Sequence, residues 1–145
     1  MMRNRVPALA LLVALVAAGC GGGEETVEVT LQEFAVLPAQ DTVSAGSVTF
    51  DATNEGPDDP HELVVIQTDL APEELPTTDE GGVDEEGEGI EVIGEIEEFP
   101  VGETESATFD LDAGDYVLIC NIVEEEDGEL EAHYELGMRV GFTVE

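Results

Sequence analysis

From Thr26 onward the chain alternates between apolar and polar positions with a period of two. Val27, Val29 and Leu31 alternate with Glu28, Thr30 and Gln32, the pattern of a half-buried strand. Phe34, Val36 and Leu37 extend that strand to Pro38, and Ser44-Ala45-Gly46 reads as a turn. A second strand covers Ser47 to Thr53 and is closed by Asn54-Glu55-Gly56-Pro57. The stretch His61 to Ile66 is more continuously apolar, which predicts a central strand. The rhythm then breaks. Leu70 to Gly89 holds Pro72, Pro76 and a dense acid run, and predicts a long surface loop with one helical turn near Pro72 to Leu75. The β pattern resumes at Ile90 to Ile96 and at Ser106 to Leu111. Asp112-Ala113-Gly114-Asp115 reads as a tight turn, Tyr116 to Ile119 as a buried strand leading into Cys120, and Val140 to Val144 as the last strand. No long amphipathic helix and no internal repeat is visible. Roughly seven short strands with frequent turns predict one all-β sandwich or barrel, with its topology left open.

The first residues carry a different pattern. Arg3 and Arg5 form a basic head, Val6 to Ala18 is an apolar run broken only by Pro7, and Ala17-Ala18-Gly19-Cys20 ends it with small residues. This is the build of a secretory signal peptide over residues 1–19, too short to span a bilayer comfortably. Its end resembles the bacterial lipobox, with Ala17 where Leu is commoner. That resemblance implies that Cys20 is acylated, that residues 20–25 form a Gly-rich tether, and that the domain of residues 26–145 sits outside the cytoplasm on the outer face of a membrane. An ordinary cleaved signal, or an uncleaved anchor with an incidental Cys, is the plainer alternative.

Removing the signal sharpens the charge. All 36 acidic residues lie after Cys20, and Arg139 is then the one remaining Lys or Arg, so the mature charge is 36 negative against 1 positive, or −35. Nucleic acid and anionic membrane surfaces repel such a chain. A basic partner or a saline habitat, where ions screen the repulsion, fits better. The acids are spread along the whole domain, which favours the habitat.

Against this background the metal-ligating residues stand out by scarcity. Beyond Cys20 the chain has one Cys, two His and one Met: Cys120, His61, His133 and Met138. A lone exported thiol is either inert and buried, or a ligand or nucleophile. Each of the four has a bland alternative as core filler or as a structural or surface residue. Together they form the set that one metal site needs, since a thiolate and two imidazoles with a weak axial thioether make a blue-copper electron-transfer centre.

At this point the sequence resembles the cupredoxins, the plastocyanin and azurin group, and in particular lipid-anchored bacterial cupredoxin-domain proteins. Tyr116-Val117-Leu118-Ile119-Cys120-Asn121-Ile122 followed by His133-Tyr134-Glu135-Leu136-Gly137-Met138 is similar to their copper loop, and Pro60-His61-Glu62-Leu63 to their upstream ligand segment. The resemblance implies a Greek-key β-sandwich, one type 1 copper held by His61, Cys120, His133 and Met138, and an exposed His133 as electron port. It departs at one place. Twelve residues, Asn121 to Ala132, separate Cys120 from His133, and they include an acid run. Such an insertion fits if it bulges outward as a hairpin, but a Glu near the metal could also replace Met138. Asn121 is a candidate brace beside the thiolate. The second acid run, Asp79 to Glu86, lacks EF-hand spacing and reads as a solvated loop.

Three functions follow. The first is a membrane-anchored one-electron carrier, acting as a monomer among redox proteins at the membrane. The second is copper acquisition, storage or delivery. The third is a metal-free interaction domain, which the full ligand set argues against. An enzyme is not expected: no His remains for a second copper centre or a catalytic triad, and no P-loop or dinucleotide fingerprint is present.

Overall fold

The computed structural model describes residues 23–145; the expected signal peptide and Cys20 lie outside the described residues. Strand β1 (Glu25–Gln32) turns Val27, Val29 and Leu31 inward. It pairs antiparallel with β2 (Ala35–Pro38) and parallel with β4 (Gly46–Gly56), which pairs in turn with β7 (Thr104–Leu111). This four-stranded sheet, β2-β1-β4-β7, faces a five-stranded one. The second sheet runs β3 (Thr42–Val43), β11 (Arg139–Val144), β8 (Gly114–Ile119), β5 (His61–Thr68), β6 (Ile90–Phe99). Neighbours that are distant in sequence, such as β5 beside β8, are the mark of Greek-key connections, and the sandwich expected from periodicity is present.

The core lies between the sheets. Leu31, Phe50, Leu63, Val65, Tyr116, Leu118 and Phe142 all point into it and are buried. The other face of the second sheet is also covered. Val64, Ile66, Val117 and Ile119 pack under Leu75, Val83 and Tyr134. A strand buried on both faces has no polar face, which is why His61 to Ile66 reads as continuously apolar.

Two local expectations are corrected. The first strand does not run on to Pro38. The Glu33 N–H makes the last bond to β4, to Gly56 O at 3.1 Å, after a register shift at Leu31 and Gln32; the chain then reverses at Glu33 and Phe34, and β2 folds back on β1. Residues 70–89 are not a simple surface loop, since Leu75 and Val83 are buried and the segment lids the second sheet. Its expected helical turn is one hydrogen-bonded turn, Glu74 N to Ala71 O at 2.9 Å. The insertion after Cys120 does bulge out, as a separate hairpin of β9 (Val123–Glu126) and β10 (Glu129–Ala132) with Asp127 and Gly128 at its tip, both at positive φ. One short helix, α1 (His133–Leu136), follows it.

Candidate metal centre

Antiparallel pairing gathers the four candidate residues at one end of the sandwich. β5 begins at His61, and β8 ends one residue before Cys120. Val64 pairs with Ile119, so the start of β5 lies beside the end of β8. Ile119 also pairs with Arg139, which brings in the start of β11, directly after Met138. Strand parity does the rest. His61 shares the inward face with Leu63 and Val65, and Cys120 shares it with Tyr116 and Leu118.

Each side chain is anchored through its own segment. Buried Asn54 holds the loop before His61, accepting from Gly56 N at 2.8 Å and donating to Asp59 O and Phe99 O. Glu62 ties the two ligand segments together by accepting the Asn121 N–H at 3.0 Å. Asn121 in turn holds the 70–89 segment: its Oδ1 accepts from Val83 N at 2.6 Å and its Nδ2 donates to Val83 O at 3.1 Å. The expected brace is therefore present, directed at that covering segment. Met138 is fully buried in the same apolar cluster as Cys120; its N–H donates to His133 O and its carbonyl accepts from Cys120 N. Gly137 makes the turn between α1 and Met138 at φ 129°, where a Cβ would stand 3.0 Å from Phe34 O.

Three donor atoms converge. His61 Nδ1 and His133 Nδ1 are 3.3 Å apart, and Cys120 Sγ lies 3.4 Å from His133 Nδ1 and 3.9 Å from His61 Nδ1. This triangle is acute, so a point inside it lies equally far, about 2.1 Å, from all three atoms, a distance typical of metal bonds to imidazole and thiolate. All three residues are fully buried. Burial pushes the Cys120 thiol up to about 12. It also lowers His61, with the nearby His133 adding to the effect. Without a metal Cys120 is thus a neutral thiol, and a cation is what would turn it into a thiolate. Glu62 is likewise raised by burial, to about 7.

The outer nitrogens face carboxylates. Glu124 Oε1 of β9 lies 2.9 Å from His133 Nε2, and Glu33 Oε1 lies 3.7 Å from His61 Nε2. Asp59 completes a group with Glu124 and His133. Two consequences follow. His133 is not exposed, correcting the expected electron port: the hairpin and the Phe34 ring, 5.1 Å from the imidazole centre, enclose it. The acid run also approaches the imidazole from its outer side, away from the Nδ1 that faces Cys120. Sequence reasoning did not single out Glu33, Asn54 or Glu124. Only Asn54 had a local signal, as a strand-closing residue.

No family model and no curated protein matches the chain. Solved structures do. Auracyanin from Roseiflexus castenholzii is 23% identical with a TM-score of 0.58, covering 86% of this chain and 99% of its own. Auracyanin A, a "blue" copper protein from Chloroflexus aurantiacus, is 22% identical with a TM-score of 0.55, over 85% and 100%. Rusticyanin from Thiobacillus ferrooxidans is 17% identical with a TM-score of 0.56, over 86% and 79%. These likenesses establish the fold as that of the cupredoxins.

Proposed function

We propose that this protein is a type 1 copper protein in which His61 Nδ1, Cys120 Sγ and His133 Nδ1, with the buried Met138 as a fourth ligand, would hold one copper ion. It would serve as an extracytoplasmic one-electron carrier, monomeric and held at the membrane by a lipid on Cys20. The donor triangle carries the reading, because a point inside it lies at bonding distance from two imidazole nitrogens and one thiol sulfur. The fold shared with auracyanin A, described as a blue copper protein, supports the same metal. When bound, copper would supply a one-electron Cu(II)/Cu(I) couple. The chain's part is to hold the donors still. Cys120 and His61 stand on paired strands, and the Glu62 carboxylate and the Asn121 N–H lock the two segments together.

Burial favours a carrier over copper acquisition, storage or delivery. Ligands that hand metal to another protein must be reachable, and His61, Cys120, His133 and Met138 are all shut away from solvent. No enzymatic role is included, since the metal would take both imidazoles of the chain. To test this reading, the domain is loaded with Cu(II), and its visible spectrum, voltammetry and rate of Cu(I) loss to a chelator are recorded. An intense blue band, reversible one-electron cycling and slow metal loss are expected. Tight but colourless Cu(I) binding with rapid transfer would favour delivery, and no copper binding would sink both readings.

A further inference from the structure

The hydrogen bonds on the outer side of the site carry an inference that rests on the copper reading and extends it. A carboxylate oxygen only accepts, so at 2.9 Å the Nε2 of His133 donates to Glu124. A neutral imidazole has one donor and one acceptor, so Nδ1 is left with a bare lone pair, aimed at Cys120 Sγ 3.4 Å away. The contact is looser at His61. Its Nε2 is fully buried and has no partner, and the nearest carboxylate is Glu33, at 3.7 Å. Glu33 is already aimed. Its Oε1 accepts from Asp59 N at 2.6 Å and Asp58 N at 3.1 Å, while its Oε2 is itself a buried, unpartnered atom.

We propose that Glu33 and Glu124 are positioning residues for the metal. Glu124 bonds the outer nitrogen of His133, fixes its Nε2–H form and makes its Nδ1 a stronger donor, which favours Cu(II) over Cu(I); Glu33 stands 3.7 Å from the outer nitrogen of His61, where it would meet the Nε2–H that a metal on Nδ1 requires. The two come from unrelated parts of the chain, the β1–β2 turn and the inserted hairpin, and each approaches the outer nitrogen of one imidazole, at 3.7 Å and 2.9 Å respectively. On this account the hairpin is more than a solvated bulge. It supplies one of two carboxylate–imidazole pairs, and such outer partners orient a ligand and raise its basicity. Stronger donation stabilises the higher charge of Cu(II) more than that of Cu(I).

The test separates hydrogen bond from charge. Glu124→Gln keeps an acceptor and removes the charge; Glu124→Ala removes both; Glu124→Asp restores the carboxylate. The first readout is the ¹⁵N tautomer of each imidazole in metal-free protein, at a pH above the imidazole range. Wild type is expected to hold Nε2–H at His133, and Glu124→Ala to lose that preference. The second readout is affinity for Cu(II) and for Cu(I) separately. Glu124→Ala should lose about 10- to 100-fold in Cu(II) affinity, with a smaller loss for Cu(I). Each tenfold difference between the two losses raises the reduction potential by about 59 mV. Glu124→Gln should fall between, and Glu124→Asp should recover most of the loss. Glu33→Gln should shift the potential the same way. Glu124 is partly exposed, so its variants should fold even if those of Glu33 do not. Unchanged tautomers and an unchanged Cu(II)/Cu(I) affinity ratio in Glu124→Ala would overturn the proposal. A wild type that binds no copper would end the copper reading, while the tautomers still decide whether Glu124 positions His133.

Discussion

Burial keeps the Cys120 thiol protonated, at about 12, until a metal arrives. Metal uptake must therefore release that proton. Stopped-flow uptake in a weakly buffered indicator solution, above the imidazole range, should report one proton per copper. Apparent affinity should tighten about tenfold per pH unit there; no pH dependence would mean that the thiol is not a ligand. Glu62 offers a second residue-scale prediction. Burial raises it to about 7. Between the ordinary carboxylate range and that value, the folded metal-free protein holds a proton that the unfolded chain has released. Its contribution to stability is thus fully present at low pH and is lost as pH rises toward 7 and beyond. Urea midpoints at about pH 5 and about pH 8 should show a fall that Glu62→Gln reduces; an equal fall in both proteins would contradict the assignment. The legibility of single residues followed their rarity. His61, Cys120, His133 and Met138 had no competitors of their kind beyond Cys20, so counting singled them out. Glu33 and Glu124 are two of 36 acids, and only their distances to the imidazoles distinguish them.

At the scale of elements, the β9–β10 hairpin is a two-stranded sheet of its own, hydrogen-bonded to neither large sheet. Replacing residues 124–131 by a short turn that preserves Val123 and Ala132 should leave the sandwich intact, with its melting temperature changed by only a few degrees. It should also uncover His133 Nε2. Electron exchange with small cationic reagents should then quicken, measured as a second-order rate; an unfolded product would show instead that the hairpin supports the core. Periodicity could not reveal these strands, because Glu124-Glu125-Glu126 carries no apolar alternation. It overran at Phe34, where apolar residues continue through the reversal that joins β1 to β2. The 70–89 segment hid its role for a related reason. Only a few scattered side chains, Leu75 and Val83 chief among them, cover a sheet face, and a few apolar residues make no pattern.

Among the described residues the acids stand against one Arg and no Lys: Arg139 donates to Tyr134 O and lies over the Tyr134 ring. Self-repulsion at this charge destabilises the compact state. Raising salt from about 0.01 M to about 1 M shortens the screening length from about 30 Å to about 3 Å. The melting temperature should rise by several degrees over that range, most steeply at its low end; a flat profile would argue against the saline-habitat reading. The sandwich itself was legible as period-two alternation with regular turns. Its strand order was not, because alternation records which face is buried and says nothing of which strand lies beside which. That order is what brings His61, Cys120 and His133 to one end of the molecule. The most direct test is an absorption titration of the metal-free domain with Cu(II), run beside Cys120→Ser. The structure predicts an intense charge-transfer band that saturates at one copper per chain in the wild type and is absent from the variant. A band of equal strength in Cys120→Ser, or saturation without any band in the wild type, would contradict the site.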